Sequence, residues 1–379
     1  MEQVSLLKVD SYSGNLREQL VRLLEPLGGL NYFCRSGDKV LLKPNFIMAR
    51  SVESAATTHP AIILNLAMLL KDNGCTVAVG DSPGLGSATG VVNRLGLTAD
   101  LKKLGVKVVE LETPVPVNLE RSAIFEPRYK SLELAKELEQ FDRIINLPKL
   151  KTHGQMGLTL ATKNLYGCVA GPAKGQWHFN IGNDPELFGR LLVEIALSVK
   201  ANLHIIDGVI GMDGNGPTNG RPRNLGLLLA GTNPIAVDRV VVEMINEKPE
   251  NFPIFPAAAE MKIPGVNIKE IKIAGDSLDS LKVTDFEIPA FKHVNFFKNK
   301  IFNQFLAKVF KQHLILNKKL CTQCRKCETQ CPAKAISFNS RIQINNKNCI
   351  RCCCCQEMCP TGALSVKTPF IIKILRRLM

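Results

Sequence analysis

Short apolar runs alternate with longer amphipathic stretches along most of the chain before residue 288. The apolar runs predict strands, because they are brief and end in glycine or polar residues. They lie at Val4–Val9, Lys39–Leu42, Cys75–Val79, Val106–Leu111, Arg143–Leu147, His204–Asp207, Gly226–Ala230 and Ile268–Ala274. The amphipathic stretches predict helices at Leu16–Leu27, Ala61–Lys71, Ser131–Gln140, Glu186–Lys200, Ala236–Asn246 and Pro256–Met261. This alternation indicates an α/β domain with a mostly parallel sheet.

Polar residues cluster just after these strands or in the loops between them, where ligands bind in open α/β sheets. They are Lys43, Asn45, Asp81, Lys149, Lys151, Thr152, His153, Lys163, Asn164, Asp207, Asp213 and Asn215, the last two within the loop Gly211–Gly220. Lysines that converge with amides and carboxylates suit a small anion such as a carboxylate or phosphate. A single lysine after a strand is more often simply solvated, so the prediction depends on the set.

His153 is the stronger of two histidine candidates for catalysis, because lysines surround it in the sequence. His59 precedes a proline and is expected to cap the helix that follows. The glycines from Gly84 to Gly90 do not form a dinucleotide fingerprint, and Gly211–Gly220 lacks the Gly-Lys-Ser/Thr ending of a P-loop. The sequence therefore gives no support for NAD or ATP binding.

A cysteine repeat occupies the C-terminal part of the chain, where ten of the thirteen cysteines fall between residues 321 and 359. The pattern C-x2-C-x2-C-x3-C-P occurs twice, and each member of the second copy lies 28 residues after its counterpart. The copies continue past the prolines as Ala335-Ile336-Ser337 and Ala363-Leu364-Ser365. This is an internal repeat.

The repeat predicts two [4Fe–4S] clusters. Three cysteines at three-residue steps supply three thiolates, and in the bacterial two-cluster pattern the fourth cysteine ligates the other cluster. The predicted sets are Cys321, Cys324, Cys327 and Cys359 for cluster 1, and Cys349, Cys352, Cys355 and Cys331 for cluster 2. Zinc sites favour two separated C-x2-C pairs, and disulfide frameworks suit small secreted domains, so both fit this spacing less well. The segment resembles bacterial-type ferredoxins over about 45 residues.

Cys353 and Cys354 depart from that pattern, because they fill the variable positions between Cys352 and Cys355. One interpretation is ligand exchange or loss of an iron from cluster 2. The plainer interpretation is that both thiols are unligated.

Charge divides the chain of 379 residues into two unequal parts. From Ile288 onward there are 17 Lys and Arg but two acids, Glu328 and Glu357, whereas the preceding part is nearly neutral. The predicted layout is an α/β domain over 1–288, a basic linker helix over 289–317, a ferredoxin-type α+β domain over 318–368 and a basic apolar tail over 369–379. Reduced cysteines and the lack of a visible leader favour the cytoplasm.

The linker helix is predicted from apolar residues at three- or four-residue steps between Phe291 and Leu316, with lysines elsewhere. Such a helix packs against its own protein or lies on an anionic membrane surface, and the tail has the same character. Basic residues in the cysteine loops favour an acidic redox partner protein. No recognition motif supports nucleic-acid binding.

Several short motifs occur in one order between residues 42 and 238. They are Leu42-Lys-Pro-Asn-Phe46, Thr58-His-Pro60, Val79-Gly-Asp-Ser-Pro-Gly84, Leu147-Pro-Lys-Leu-Lys-Thr-His153, Thr162-Lys-Asn-Leu-Tyr-Gly167, Ile206-Asp-Gly208, Gly214-x-Gly-Pro217 and Pro234-x-Ala-Val-Asp238. Over about residues 35–245 the chain resembles the domain of unknown function 362 family, whose members are often fused to a two-cluster ferredoxin. The resemblance implies iron–sulfur protein chemistry without an assigned reaction. The resemblance also supports the prediction that the polar residues after the strands form a single site.

These observations predict an iron–sulfur redox protein whose clusters exchange electrons with an anionic substrate or cofactor in the α/β domain. The candidate catalytic residues are His153, Lys151 and Lys163, and the candidate binding residues are Lys43, Asn45, Asp81, Lys149, Asn164 and Asp213. The alternatives are a plain electron carrier whose large domain docks partners, and an iron–sulfur sensor or assembly factor. The sequence leaves open whether the protein is an oxidoreductase.

Overall fold

The computed structural model describes residues 1–119, 126–171, 173–182, 184–289 and 313–367. Sixteen strands are found in these ranges: β1 Glu2–Lys8, β2 Lys39–Pro44, β3 Thr76–Asp81, β4 Lys107–Glu110, β5 Pro114–Asn118, β6 Ser131–Ala135, β7 Arg143–Leu147, β8 Lys149–His153, β9 Gly157–Thr159, β10 Leu203–Asp213, β11 Arg221–Gly231, β12 Ile271–Gly275, β13 His313–Leu316, β14 Ile336–Asn339, β15 Arg341–Ile344 and β16 Leu364–Lys367.

Twelve α-helices lie in the same ranges: α1 Leu16–Leu24, α2 Leu30–Phe33, α3 Pro60–Asp72, α4 Ala88–Arg94, α5 Thr98–Lys103, α6 Ala161–Asn164, α7 Ala173–Ile181, α8 Pro185–Val199, α9 Pro234–Met244, α10 Ile254–Glu260, α11 Lys326–Thr329 and α12 Cys354–Glu357. No helix of this part of the chain is long and apolar enough to cross a membrane.

One ten-stranded mixed sheet forms the centre of the N-terminal domain. Its main path runs β12-β1-β11-β10-β7-β2-β3-β4, and β8 and β9 branch from β10. Strands β7, β2, β3 and β4 are parallel, whereas β11 runs antiparallel to both β1 and β10. The predicted α/β fold with a mostly parallel sheet is confirmed.

Helices cover both faces of this sheet, because its strands are apolar on both sides. Along β2, Val40 and Leu42 join the core on the face of α1 and α3, while Leu41 joins the core on the face of α8 and α9. Successive side chains of a strand point to opposite faces, so a continuous apolar run indicates a strand buried on both.

Helix starts follow local sequence signals. His59 caps α3 through its Nδ1 atom, which accepts a hydrogen bond from the backbone N–H of Ala61. Asp184 and Asn233 cap α8 and α9 in the same way, and a proline follows each cap. These caps satisfy N–H groups that lack a partner inside the helix. The predicted capping role of His59 is confirmed.

The predicted helix Ser131–Gln140 is wrong. Its first half is strand β6, which pairs with β5, and its second half is a 3-10 helix over Lys136–Gln140. The sequence alternates here, since Leu132 and Leu134 are buried whereas Ser131 and Glu133 are exposed. That period of two is the period of a strand.

The predicted glycine-rich loop is shorter than expected. Gly211 to Asp213 continue β10, which pairs with β11 as a long hairpin. The lysine-containing segment after β7 was predicted as loop but forms strand β8, and all five of its residues are buried.

The C-terminal module is a small α+β unit, as predicted. It contains two short helices and two two-stranded sheets, β13-β16 and β14-β15. The predicted linker helix Phe291–Leu316 is wrong at its end, because His313–Leu316 is strand β13 and belongs to the module's sheet. Its remaining residues, like the tail 369–379, lie outside the described part of the chain.

Candidate functional site

A cavity of about 150 Å³ lies between the ends of β2 and β3 and the second cysteine loop. Six of the nine predicted site residues line it: Asn45, Asp81, Lys151, His153, Lys163 and Asn164. Further walls come from Ser82, Tyr166, Lys174 and His178 of the α/β domain and from Gln330, Cys354, Glu357 and Met358 of the C-terminal module. The cavity is therefore composite, because both parts of the chain contribute to it.

A buried ion pair forms one wall. Lys43 lies in strand β2, and its Nζ atom is 2.7 Å from Oδ1 of Asp81, the last residue of β3. The same carboxylate accepts hydrogen bonds from the backbone N–H groups of Phe46 and Ser82. A Cβ atom at Gly167 would lie 2.2 Å from Asp81 Oδ1 and 2.6 Å from Lys43 Nζ. Glycine is thus required at position 167 for this pair to form.

Lys151 belongs to a buried chain of hydrogen bonds. Its ammonium group donates to Oδ1 of Asn45 at 2.8 Å, and Asn45 donates to Oδ1 of Asn164, also at 2.8 Å. Asn164 in turn donates to Oδ1 of Asn146 at 2.8 Å. Burial lowers the pKa of Lys151 to about 7, with the charge of Glu357 opposing that shift. This amide network fixes the ammonium group at the cavity wall.

Lys163 is positioned by helix α6. The first backbone N–H groups of this helix, on Ala161 and Thr162, donate to the carboxylate of Asp238 at 2.7 and 3.0 Å. The Lys163 ammonium group lies 5.4 Å from the ring centre of Tyr166 and 5.2 Å from that of Phe188. Burial lowers the pKa of Lys163. Its positive charge is therefore held against aromatic faces.

Lys174 and His178, both on helix α7, were not predicted. Lys174 donates to the backbone carbonyl of Ser82, and burial lowers its pKa to about 7. His178 packs edge-on to Tyr166 and Phe188, and burial lowers its pKa to about 4. The sequence signal was a lysine between Gly171 and Gly175, at the start of helix α7, which is weak alone.

His153 contacts the C-terminal module directly. Its Nδ1 atom accepts hydrogen bonds from the backbone N–H groups of Gln155 and Met156, so the ring proton resides on Nε2. Nε2 lies 2.8 Å from Oε1 of Glu357, and both side chains are buried. Burial lowers the pKa of His153, which favours the neutral ring. Burial alone would raise the pKa of Glu357, but His153 and Lys163 hold it at about 2.

Lys149 and Asp213 lie away from the cavity. The Lys149 ammonium group is 2.8 Å from both Oδ2 of Asp207 and the hydroxyl oxygen of Tyr12, whose ring stacks on His59. Asp213 forms ion pairs with Arg221 at 2.9 Å and with Arg223 at 2.8 Å. The structure does not place these two residues with the rest of the predicted site.

The eight predicted cluster ligands line two separate cavities in the module. One is bordered by Cys321, Cys324, Cys327 and Cys359, and the other by Cys331, Cys349, Cys352, Cys355 and the additional Cys353. Within the described ranges, no group of three or more His, Cys, Asp or Glu side chains is arranged to hold a single metal ion. The two thiol sets coincide with the sets predicted from the spacing.

The 28-residue repeat extends to the backbone. Gln323 and Arg325 have φ angles of 54° and 60°, and their counterparts Arg351 and Cys353 have 56° and 63°. Both copies also form the same N–H···S contact: Ala335 donates to Cys331, and Ala363 donates to Cys359, each at 3.2 Å. The two loops therefore share one conformation.

The two loops differ in their surroundings. Cys324, Arg325 and Lys326 of the first loop are exposed, whereas Cys353 and Gln356 of the second are buried against the α/β domain. Cys353 occupies the position of Arg325 in the repeat. At the repeat positions where the first loop has the exposed cations Arg325 and Lys326, the second loop thus has Cys353 and Cys354. The second loop is the one that packs against the α/β domain.

Several hydrogen bonds hold that docking face. Arg50 of the α/β domain donates to the carbonyl oxygens of Pro360 at 2.6 Å and Cys359 at 3.3 Å. The hydroxyl of Thr218 donates to the carbonyl of Glu357 at 2.9 Å, and Gln356 donates to Asn215 at 2.7 Å. The α/β domain thereby binds the carbonyl groups that follow helix α12.

This fold and this site define a two-part iron–sulfur protein. Residues 40–243 match the family described as "Domain of unknown function (DUF362)", and residues 313–360 match a "4Fe-4S dicluster domain". A thylakoid-associated protein of Synechocystis sp. is 37% identical over 309 residues, which cover 77% of this chain and 94% of that protein. The chain belongs to the DUF362 family, and its dicluster domain supports a role in electron transfer. The predicted family fusion is confirmed.

Two solved structures resemble parts of the fold. A Thermotoga maritima protein has a TM-score of 0.39 at 16% identity, covering 60% of this chain and 57% of that one. The lactate racemase apoprotein from Thermoanaerobacterium thermosaccharolyticum has a TM-score of 0.42 at 12% identity, covering 61% and 54%. The chain spans little more than half of each.

Proposed function

We propose that this protein is an iron–sulfur oxidoreductase in which two [4Fe–4S] clusters exchange electrons with an anionic ligand in the composite cavity. The observation that carries this proposal is the position of the second cysteine loop. Cys354 and Glu357 of that loop line the same cavity as Lys151 and Lys163. A bound ligand would therefore lie beside the loop that supplies the cluster 2 thiolates.

The thiol sets support the crosswise ligation predicted from the sequence. Cys321, Cys324, Cys327 and Cys359 would hold cluster 1, and Cys349, Cys352, Cys355 and Cys331 would hold cluster 2. When bound, each cluster stores or releases one electron, with a potential set by hydrogen bonds to sulfur and by exposure. The N–H groups of Ala335 and Ala363 supply such bonds to Cys331 and Cys359.

The lysines would bind and orient the ligand. Lys151 and Lys163 are fixed by hydrogen bonds or aromatic rings, so they can face an anion without first reorganising. Both nitrogens of His153 are already engaged, which gives this residue a positioning role for Glu357. Asn45 and Asn164 complete the fixed polar wall.

Reduction of the clusters in the presence of the natural ligand tests this function. Mass spectrometry first identifies the small molecules that co-purify with the protein. The intact protein is then reconstituted with iron and sulfide without oxygen and reduced. Electron paramagnetic resonance spectra are recorded before and after each small molecule is added. The expected result is a cluster signal that a co-purified ligand removes or shifts. A sample without reducible clusters would overturn the proposal.

Matched lysine variants make that test specific. Lys163→Gln should abolish the ligand-dependent change while keeping the reduced cluster signal. Lys71→Gln, on the exposed surface of α3, should behave like the unmodified protein. Equal behaviour of the two variants would argue against ligand binding in this cavity.

A partner protein is proposed for the exposed cysteine loop. Cys324 is exposed, and Arg325 and Lys326 beside it present positive charge to solvent. Complementary charge steers redox partners to such surfaces, so we infer an acidic partner that exchanges electrons with cluster 1. Lys326→Glu should slow electron exchange with that partner at low salt, and an unchanged rate would exclude this face. The same surface favours a plain electron carrier as the second candidate function.

We further propose a cytoplasmic location, because cysteines that hold iron must stay reduced. The thylakoid-associated relative makes contact with an anionic membrane surface the alternative. Sedimentation with vesicles that contain anionic lipids distinguishes the two, and binding that resists high salt would contradict a free cytoplasmic protein.

A further inference from the structure

We infer that the composite cavity takes a small dianion, such as a short dicarboxylate or inorganic phosphate, and is too small to enclose a nucleotide. This inference rests on the proposed anionic ligand and narrows its anionic part to a charge and a size. Inorganic phosphate and malonate, which the clusters cannot reduce, serve as probes of that part. It follows from the charges that line the cavity and from its volume.

The cavity wall has an excess of two positive charges when its three lysines are protonated. Three lysines line it, Lys151, Lys163 and Lys174, whereas its carboxylates among the described residues are Asp81 and Glu357. Asp81 is already neutralised by Lys43, which lies directly behind it at 2.7 Å. Glu357 faces a neutral His153 and so offsets one lysine. Two lysine charges remain for a ligand.

None of the three lysines has a carboxylate within 4 Å among the residues that the structure describes. Lys151 donates to an amide and a carbonyl oxygen, and Lys174 donates to the carbonyl of Ser82. Lys163 faces two aromatic rings. A buried cation that has only neutral partners is costly, and an anion between the three would lower that cost.

The volume limits what the cavity can enclose. A cavity of about 150 Å³ is comparable with the engineered cavity of about that volume that binds benzene. Drug-sized ligands occupy pockets of about 300 Å³ or more. A phosphate ion or a dicarboxylate of three or four carbons fits this volume, whereas an adenine nucleotide does not.

Anion binding should be accompanied by proton uptake. Burial lowers the pKa of both Lys151 and Lys174 to about 7, so each is partly neutral above that pH in the empty cavity. The charged groups facing Lys151 are Glu357, Lys163, Lys149 and Asp81. Those facing Lys174 are Asp81, Lys43 and Lys163, beside the thiol of Cys168, whose pKa burial raises to about 12. A dianion would return both lysines to their charged form.

Titration calorimetry of the cluster-loaded full chain at pH 8 tests the inference. The probes are malonate, succinate, inorganic phosphate, acetate and adenosine monophosphate, each in two buffers that differ in ionisation enthalpy. We expect one class of dianion to bind at least tenfold more tightly than acetate, with proton uptake. Malonate and phosphate distinguish the carboxylate source from the phosphate source.

Two variants and a control assign the binding to this cavity. Lys174→Gln and Lys163→Gln should each weaken dianion binding by about tenfold or more, and Lys71→Gln should not. Fluorescence of Trp177, the one tryptophan, shows whether each variant is folded. Equal affinity for acetate, tighter binding of the nucleotide, or no binding by any probe would each overturn the inference.

Failure here is distinguishable from failure of the proposed function. If a dianion binds but never changes the electron paramagnetic resonance signal, the ligand class stands and the redox role is lost. If a larger ligand oxidises the reduced clusters, the redox role stands and the ligand class is lost.

Discussion

The Nε2 atom of His153 lies 2.8 Å from Oε1 of Glu357, and this contact joins the α/β domain to the cysteine module. Glu357 is one of two acids in the module's otherwise basic sequence, and its carboxylate is directed into the lysine-lined cavity. The pair therefore links two events, docking of the module and completion of the cavity wall.

Glu357→Gln should weaken the contact between His153 and the module while the protein still folds. The Nε2–Oε1 contact does not have hydrogen-bond geometry, so the variant mainly removes a buried charge that faces His153 and Lys163. Interactions that involve a charged group contribute about 1.5–3 kcal/mol, and we expect a loss of that order or less in the free energy of unfolding. The measurement is urea denaturation followed by Trp177 fluorescence. Glu328→Gln provides the control, because this half-buried acid pairs with the exposed Arg325, and loss of the pair should cost less than about 1 kcal/mol. Similar losses in both variants would contradict the role of the His153 contact.

Gly167→Ala should break the Lys43–Asp81 pair. The added Cβ would lie 2.2 Å from Asp81 Oδ1, so one member of the pair must move. Disruption of a buried ion pair costs about 3–5 kcal/mol, and we expect a loss of that order. Gly175→Ala is the matched control, since no heavy atom lies within 4 Å of its Cβ position, and alanine there should be neutral or slightly stabilising. Thermal unfolding of both variants checks this, and equal melting temperatures would exclude the clash.

Stability should fall as the pH decreases from about 6.5 to 4. Burial lowers the pKa of His59 and His178 to about 4 and that of His204 to about 3. The unfolded chain binds protons at the ordinary histidine value, so this stability is complete above about pH 6.5 and is lost below it. Each fully buried histidine contributes up to about 1.4 kcal/mol per unit of pKa shift.

Urea unfolding of the α/β domain at pH 7 and pH 5 measures that change. Glu357 adds a further loss below its ordinary pKa, because its value in the folded protein is held at about 2. His178→Phe removes one titrating group and should flatten the dependence between pH 6.5 and 4. An unfolding free energy that stays constant from pH 7 to 5 would show that the histidines are accessible to protons.

Cys353→Ser and Cys354→Ser should leave both clusters in place. Cys353 is the counterpart of Arg325 in the repeat, a position that contributes no ligand in the first loop. We expect about eight iron atoms per chain in each variant and about half that number in Cys352→Ser. Iron analysis and absorption spectra of reconstituted protein provide the measurement. Loss of iron from either of the first two variants would support the ligand-exchange interpretation.

Arg50→Gln should make the reduction potential of the cluster that Cys359 is predicted to bind more negative. The guanidinium group donates to the Cys359 carbonyl, and its positive charge favours the reduced, more negative cluster. An interaction of about 1.4 kcal/mol corresponds to about 59 mV for one electron, so a shift of tens of millivolts is expected. A redox titration followed by electron paramagnetic resonance measures it, with Arg94→Gln, on α4, as the control. Identical potentials would exclude this electrostatic effect.

The fold was largely readable from the sequence because its strands are apolar on both faces and its helices carry caps. The β7 strand, Arg143–Leu147, was predicted with its observed bounds. The helix prediction for residues 131–140 was wrong because the alternating segment Ser-Leu-Glu-Leu-Ala is short. Its period of two did not outweigh the charged residues that follow, which suggested a helix. Strand β8 was missed because lysines alternate in it, and only tertiary packing buries them.

Only part of the site was predicted, because some of its residues are placed by local sequence and others by tertiary packing. Positions after strands β2 and β3 follow from topology, so Asn45 and Asp81 were found. Lys174 and Glu357 depend on how α7 and the module fold back onto the sheet, and local sequence does not contain that information. Glu357 nevertheless had one signal, as an acid inside a cysteine loop of a strongly basic segment.

Strands β13 and β16 are antiparallel neighbours, so the chain enters and leaves the module at the same edge. The module and the α/β domain belong to one chain, so docking of the module is an intramolecular equilibrium. Two binding surfaces within one chain have effective concentrations up to the order of millimolar. Contacts too weak to hold two separate proteins together would suffice here. The cavity wall that Glu357 completes is therefore held in place by contacts within one chain.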